Sequence, residues 1–347
     1  MSFSEELISW YSKNKRDLPW RNTRDPYKIW LSEIILQQTK VQQGLPYYNL
    51  FINEFPTVYH LANAPEDKVL KAWQGLGYYS RARNLQYTAK IICNEFNGVF
   101  PNNYNDILSL KGVGTYTAAA ISSFAFNLNY AVLDGNVIRV LSRVFGLDTF
   151  FDTGKGKKEF QELANLKLPR ENAYAYNQAI MEFGALVCTP RKPACFDCVL
   201  KDSCFAKKQS LVESLPKKSS KTKVRDRYLF YLVIENTDSI YFVKKKQGIW
   251  SGLYEFPLIE FSSMKTNNQV VISKEFQSFF SKKVFLVNKI SPLIIHKLSH
   301  QKLHVKFIHI NCNSKLSTSL KKVSFSQIND LPVSRLIDKY LLKNLVC

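Results

Sequence analysis

Four cysteines lie close together in the second half of the chain, and thiolates are ligands for zinc and for iron-sulfur clusters. They follow the spacing C-x6-C-x2-C-x5-C, at Cys188, Cys195, Cys198 and Cys204. The loops between them are short, so closing them around one centre costs little chain entropy. Zinc and a four-iron cluster both accept four thiolates. The single short C-x2-C pair favours iron and sulfur, because zinc ribbons usually contain two such pairs.

Two carboxylates occur in settings that change acid strength. Glu33 follows Trp30 by three residues and precedes Gln37 by four, so its helix face is largely apolar. Burying an ionised carboxyl there is costly, and a raised pKa is expected. Asp134 precedes Gly135 and Asn136, where an Asp is also the usual N-cap of a following helix. One protonated and one ionised carboxyl group are what cleavage of a glycosidic bond requires.

A glycine hairpin precedes an alanine-rich segment. Gly112 and Gly114 flank Val113, and three alanines begin at Ala118. Such a turn can present backbone amides at the start of a helix, where they bind phosphate. Gly-x-Gly turns are also common in plain helix connections, so this pattern alone is weak.

The periodicity of the chain indicates which elements must position these residues. With 347 residues, two or three domains are expected. Residues 1–210 show helical spacing of apolar side chains, 211–227 form a basic polar linker, and 228–347 show strand patterns. The predicted fold class is therefore a mainly α domain that includes the cysteine loop 188–204, followed by an α+β domain.

The charge balance points to a polyanionic partner. The chain has 48 Lys and Arg against 28 Asp and Glu, a formal charge of +20, which favours nucleic acid over a membrane surface. No apolar run approaches the roughly 18 residues of a membrane span. The amino terminus has Glu5 and Glu6 where a signal peptide would have lysines. We therefore expect a cytoplasmic protein.

Three further motifs complete a family resemblance. They are Leu-Pro-Trp-Arg at 18–21, Leu-Gln-Gln-Thr at 36–39 and Gly-Leu-Gly-Tyr-Tyr at 75–79. Together with the cysteine spacing, the hairpin and Asp134, they resemble the endonuclease III superfamily of helix-hairpin-helix DNA glycosylases. Within it, the chain is most similar to the adenine-specific MutY branch. The resemblance covers nearly the whole chain and is most specific over 1–210.

The resemblance implies roles for individual residues. Glu33 would protonate adenine at N7, and Asp134 would stabilise the cationic sugar with support from Tyr116 and Asn136. The cysteines would hold a [4Fe-4S] cluster. Residues implied to contact DNA are Arg16, Trp20 and Arg21 in the adenine pocket, Gln38 and Tyr78 in the base stack, Thr39 and Leu76 opposite the adenine, and Gly112 and Gly114 in the hairpin.

One position separates the branches of this superfamily. Members that also nick the strand keep a lysine two residues after the second hairpin glycine, where its amine forms a Schiff base. This chain has Tyr116 there, so a monofunctional glycosylase that uses water is expected. Lys111 replaces the usual proline before the hairpin, and we interpret it as at most a phosphate contact.

The carboxyl-terminal part resembles the family's Nudix-like domain. Residues 250–257 carry the clearest match, but 258–284 lack the acidic run that holds magnesium in Nudix hydrolases. Binding without pyrophosphate hydrolysis is therefore expected. Ser299 and His300 correspond to residues of the family that contact the lesion, whereas Leu298 replaces a phenylalanine.

The resulting hypothesis is a base-excision repair enzyme that removes adenine mispaired with 8-oxoguanine or guanine. Its partner would be double-stranded DNA, with no membrane partner, and the protein would be a monomer, associated with the nucleoid if bacterial. The alternatives are another mismatch or pyrimidine glycosylase, or a non-catalytic iron-sulfur protein that binds DNA.

Overall fold

The computed structural model describes residues 1–219, 224–280, 283–314, 316 and 320–344. The chain forms two compact units. The first comprises Met1–Asn63 and Asn84–Ser220, and the second comprises Ala64–Arg83 and Lys221–Cys347. The predicted fold class, a helical domain followed by an α+β domain, is confirmed.

The helices of the described residues are α1 (Phe3–Asn14), α2 (Pro26–Leu36), α3 (Val41–Glu54), α4 (Val58–Asn63), α5 (Glu66–Ala72), α6 (Ser80–Glu95), α7 (Tyr104–Ser109), α8 (Thr115–Phe126), α9 (Gly135–Phe145), α10 (Gly154–Lys167), α11 (Ala173–Leu186), α12 (Phe205–Lys208), α13 (Asn267–Val271), α14 (Lys274–Phe280) and α15 (Arg335–Asn344). Short 3-10 helices form at Pro19–Arg21 and Phe325–Asp330. None of these helices is both long enough and apolar enough to span a bilayer.

The first unit is built around helices that are buried on nearly every side. Helix α2 starts with Pro26 and is capped by Asp25, whose carboxylate accepts from the Tyr27 amide. Its residues from Ile29 to Ile35 are all buried. Helix α8 is similarly enclosed from Thr117 to Phe124. Because both helices are buried, a polar side chain on either one needs an internal partner.

The described part of the predicted linker packs against the first unit. Leu215 is buried, and its carbonyl accepts from Nε of Arg143 at 3.1 Å. Lys217 forms an ion pair with Asp148 at 2.9 Å. Residues 220–223 of the predicted linker lie outside the described residues, and the first strand already begins at Arg225.

The second unit contains a mixed sheet in the order β3-β2-β1-β7-β5, with β4 on β1, β6 on β7 and β8 on β2. The strands are β1 (Arg225–Asn236), β2 (Ser239–Lys244), β3 (Tyr254–Glu255), β4 (Leu258–Phe261), β5 (Leu286–Ile290), β6 (Ile294–Lys297), β7 (Gln301–Asn311) and β8 (Lys321–Ser324). Strands β1 and β7 run parallel, and β1 is buried from Leu229 to Ile234. Burial on both faces explains its continuous apolar run.

The segment Ala64–Arg83 packs within the second unit although it lies far from the strands in sequence. Gln74 accepts from the Val333 amide at 3.1 Å and donates to Asp338 at 3.0 Å. The Tyr79 hydroxyl donates to the Val333 carbonyl at 3.2 Å. Lys71 donates to the Leu331 carbonyl at 3.2 Å. The predicted domains, 1–210, 211–227 and 228–347, stay a prediction, because the compact units do not show which parts of the chain fold independently.

Candidate active site

Glu33 is a buried carboxyl group on α2, with 7% of the residue exposed. Its Oε2 accepts a hydrogen bond from the Tyr116 hydroxyl at 2.8 Å. Tyr116 lies in the first turn of α8, directly after the glycine hairpin. The hairpin therefore brings a phenol from α8 against an acid from α2.

Burial raises the pKa of Glu33 to about 7. The hydrogen bond from Tyr116 and the charge of Arg21 oppose this rise, whereas the charge of Asp134 adds to it. Burial, then the charge of Glu33, also raises the pKa of Tyr116 well above its usual value, so the phenol stays a donor. Near neutral pH, Glu33 is therefore present in both its protonated and ionised forms.

Asp134 caps α9. Its Oδ1 accepts from the Val137 amide at 2.8 Å, and its Oδ2 accepts from the Asn136 side chain at 2.7 Å. Burial raises the pKa of Asp134, and these two donors oppose the rise because they favour the ionised form. Asn136 in turn accepts from Arg139 at 2.9 Å, whose Nε donates to the Cys188 carbonyl at 2.6 Å. A chain of hydrogen bonds thus links Asp134 to the cysteine loop.

The hairpin before α8 has the backbone that its glycines predict. Gly112 has φ 84°, and a Cβ there would lie 2.9 Å from Cβ of Asn84, so only glycine fits. Gly114 caps α8 without any side-chain acceptor. The first amides of α8 are thus available to an anion from outside. Lys111 lies over the Tyr87 ring at 4.2 Å.

Six of the predicted site residues line one cleft in the first unit, with a volume of about 590 Å³. They are Glu33, Gln38, Thr39, Tyr116, Asp134 and Asn136. Gln38 is exposed and has φ 57°, a left-handed conformation that non-glycine residues seldom adopt. Such backbone strain is commonly found at functional sites.

The predicted adenine-pocket residues do not line this cleft. Trp20 is buried and packs edge-to-face on Tyr48, with ring centroids 5.1 Å apart. Arg16 and Arg21 both bind the carboxylate of Glu182 on α11. Sequence reasoning missed Glu182. The available signal was an acidic residue in an apolar helix, the same one that singled out Glu33.

The four cysteines of the loop 188–204 are near enough to act on one another electrostatically. Cys188 follows α11, and Cys204 caps α12. Burial, and then the neighbouring Cys188, Cys204 and Cys195, raise the pKa of Cys198 to about 11. A raised pKa keeps Cys198 a neutral thiol, and a bound metal cation would favour the thiolate that metal ligation requires. The type of donor therefore suits a thiolate-bound metal centre, although the described residues include no group of three or more His, Cys, Asp or Glu side chains placed to hold one metal ion.

The second unit contains another cavity, with a volume of about 510 Å³. It is lined by Leu76, Tyr78, Ser299 and His300 among others. Ser299 and His300 are exposed at the turn between β6 and β7, and the Tyr78 hydroxyl lies 2.5 Å from Oγ of Ser299. Tyr78 also has positive φ, at 47°.

The two units match two known domain types. Residues 31–167 match the HhH-GPD superfamily of base excision DNA repair proteins, and residues 230–343 match the NUDIX domain. A thermostable thymine-DNA glycosylase has a similar structure, with a TM-score of 0.56 and 32% identity over 60% of this chain and 95% of that one. A trapped endonuclease III-DNA complex, at 20% identity and a TM-score of 0.53, shares the fold. The class is thus a helix-hairpin-helix base excision repair protein with a Nudix-like domain.

Curated relatives identify the family within this class. An adenine DNA glycosylase of Buchnera aphidicola subsp. Baizongia pistaciae is 35% identical over 97% of this chain and 96% of its own length. The enzyme of the same name from Buchnera aphidicola subsp. Acyrthosiphon pisum is 35% identical over 89% of this chain and 86% of its own. The chain therefore belongs to the adenine DNA glycosylase family.

Proposed function

We propose that the protein hydrolyses the N-glycosidic bond of adenine mispaired with 8-oxoguanine or guanine in duplex DNA. The observation that carries this proposal is the cleft in the first unit. There the buried Glu33 has a pKa of about 7 and lies in the same cavity as Asp134. One group can give a proton near neutral pH, and the other can carry the negative charge that a cationic sugar needs.

The proposed reaction uses Glu33, Asp134 and one water molecule. Glu33 gives its proton to N7 of adenine, and the electron pair of the C1′–N9 bond leaves with the base. Asp134, fixed by its two donors, stabilises the positive charge that forms at the sugar. Water then adds to C1′ and its proton passes to the ionised Glu33, which restores the acid and leaves an abasic site and neutral adenine. Tyr116 holds Glu33 in place through its hydrogen bond.

The test is incubation with duplexes that carry each of the four bases opposite 8-oxoguanine, and adenine opposite guanine. Release of adenine alone supports the proposal. Release of thymine instead would support the alternative suggested by the similarity to thymine-DNA glycosylase. Binding without release of any base would support a non-catalytic role.

We predict that the enzyme leaves the abasic strand intact until alkali is added. Tyr116 occupies the position of the lysine in strand-nicking relatives, and a phenol cannot form an imine with C1′. Borohydride should therefore trap little protein on DNA. Strong trapping would implicate Lys40, which also lines the cleft, and loss of trapping in Lys40→Ala would identify that residue.

We further propose that Cys188, Cys195, Cys198 and Cys204 hold a [4Fe-4S] cluster. In the described residues no group of three or more candidate ligands is arranged to hold a metal ion. These four residues would hold the cluster through their thiolates, and the single short C-x2-C pair favours iron and sulfur over zinc. Its iron-sulfur bonds would hold the loop 188–204 together, and no electron transfer is needed for hydrolysis.

The purified protein should accordingly be brown and contain about four iron atoms per chain. Cys198→Ser should lose iron and DNA affinity because the loop is no longer held. Cys93→Ser, a substitution outside the loop, is the matched control and should keep its iron. Stoichiometric zinc in a colourless, active preparation made with iron available would contradict the cluster.

We propose that the second unit recognises the base opposite adenine through Ser299 and His300. Both are exposed at a tight turn where the Leu298 amide donates to the Gln301 carbonyl at 2.8 Å. The Tyr78 hydroxyl forms a hydrogen bond with Oγ of Ser299. Tyr78 belongs to Ala64–Arg83, a segment of the same unit. The unit is not expected to hydrolyse nucleotides because residues 258–284 lack an acidic run for magnesium.

Ser299→Ala combined with His300→Ala should reduce the preference for 8-oxoguanine over guanine. A hydrogen bond to the lesion contributes about 1–3 kcal/mol, so the ratio of rates on the two duplexes should fall by up to about a hundredfold. The matched control is Thr237→Ala with Asp238→Ala, at the exposed turn between β1 and β2. An unchanged ratio would remove this turn as the lesion reader.

A further inference from the structure

Glu182 is a buried carboxylate that binds two guanidinium groups at once. Its side chain is 1% exposed. Arg16 donates to it through its backbone amide at 3.0 Å, Nε at 2.8 Å and a terminal nitrogen at 2.5 Å. Arg21 donates through both terminal nitrogens, at 2.9 and 2.6 Å. This is a fork-to-fork arrangement, the strongest geometry of such pairs.

The cluster has more positive than negative charge. Two guanidinium groups face one carboxylate, and 9% of the Arg21 side chain is exposed, against 35% for Arg16. Burial would raise the pKa of Glu182, but the hydrogen bonds from Arg21 and Arg16 lower it to about 2. Glu182 is therefore ionised at every pH at which the protein would work, and it offsets part of the positive charge beside it.

Arg21 connects this cluster with the proposed acid. It is among the charged groups that act on Glu33, where its positive charge favours the ionised carboxylate. The other groups that face Glu33 are Tyr116 from α8 and Asp134 at the start of α9, and Lys40 is a further charged side chain lining the same cleft. Arg21, on the 3-10 helix Pro19–Arg21, therefore pairs with Glu182 and is also one of the charges that act on Glu33.

We infer that Glu182 is a positioning residue for base excision, which fixes Arg16 and Arg21 and offsets the positive charge of Arg21 so that Glu33 keeps its proton. This inference rests on the proposed function. Without the negative charge of Glu182, the uncompensated Arg21 would favour ionised Glu33. The protonated fraction of Glu33, and with it the excision rate, would then fall at a lower pH than in the unaltered protein.

The experiment measures single-turnover adenine excision by the full-length protein between pH 5 and 9, a range of about four units around the expected midpoint. In the unaltered protein, the rate should fall as pH rises through about 7, because Glu33 loses its proton. Glu182→Gln should move this fall to lower pH by on the order of 0.5–1 unit. Glu182→Asp keeps the charge on a shorter side chain, so it should lower the rate but keep the midpoint near its original pH.

Arg16→Met provides a test of opposite sign that does not depend on Glu182→Gln folding. Removing one cation leaves Arg21 more fully neutralised by Glu182, so the midpoint should move to higher pH. Glu255→Gln is the matched control, because Glu255 is a buried carboxylate of the second unit paired with Lys245 at 2.6 Å. It should leave the midpoint unchanged.

Two outcomes would overturn the inference. The first is that folded Glu182→Gln and Arg16→Met both have the same pH profile as the unaltered protein. The second is a rate loss of equal size at every pH in Glu182→Gln, which would make its role only structural. Absence of adenine excision by the unaltered protein at any pH would instead refute the proposed function, so the two failures are distinguishable.

Discussion

Glu33→Gln should reduce the rate of adenine excision by roughly 10²–10⁴. The substitution removes the only proton that position 33 can give to the base, because an amide does not act as an acid near neutral pH. Gln keeps the size of the side chain. Its oxygen can still accept the hydrogen bond that the Tyr116 hydroxyl donates to Glu33 at 2.8 Å in the unaltered protein. Duplex binding should therefore survive.

The measurements are the single-turnover rate on a duplex with adenine opposite 8-oxoguanine, and the affinity for a duplex with a non-hydrolysable adenosine analogue. Glu95→Gln, at the exposed end of α6, is the matched control and should retain full activity. Near-normal excision by Glu33→Gln would remove Glu33 as the acid. Loss of binding together with activity would indicate a folding defect instead.

The same substitution should increase stability above about pH 7. Because burial raises the pKa of Glu33 from 4.5 to about 7, the folded state keeps a proton that the unfolded chain releases. The free energy of unfolding therefore falls as pH rises from 4.5 to about 7 and stays lowered above that. Removing the acid should restore on the order of 1–3 kcal/mol at pH 8 and little at pH 4. The check is denaturant unfolding of both proteins at the two pH values.

Local sequence patterns predict the parts of this site that depend on local structure. The apolar face around Glu33 predicts its burial, and the position of Asp134 predicts its capping of α9. The two glycines predict the hairpin turn, since only a glycine fits at position 112 beside Asn84. Each of these features is set by residues within a few positions or by the sterics of one backbone.

Contacts between distant residues are what the sequence does not predict. Arg16 and Glu182 are 166 residues apart, so no spacing pattern connects them. Ala64–Arg83 has the same helical periodicity as its neighbours, yet Lys71 binds the carbonyl of Leu331, 260 residues away. A chain shortened near residue 216 would lose this partner, which makes turn substitutions a cleaner test of lesion recognition than truncation.

Asp134→Asn should reduce excision by on the order of 10²–10³ while leaving the fold intact. Asn and Asp are nearly equal as N-caps. The asparagine oxygen of the variant can therefore keep the hydrogen bond that the Val137 amide donates to Asp134 at 2.8 Å in the unaltered protein. What is lost is the negative charge that faces the developing cation at the sugar.

Asp134→Ala loses both the cap and the charge, so it should show the same rate defect and an additional loss of about 1 kcal/mol in stability. Thr153→Ala removes a cap of the same kind from α10, where the threonine oxygen accepts from the Gly156 amide at 3.1 Å. This control should lose similar stability yet excise adenine at the normal rate. If Asp134→Asn turned over normally while Asp134→Ala failed, the cap would be the function of Asp134, and another group would have to stabilise the sugar cation. Single-turnover rates and unfolding midpoints of the three variants separate these explanations, because Asp134→Asn removes the charge and keeps the cap, whereas Thr153→Ala removes a cap and leaves Asp134 unchanged.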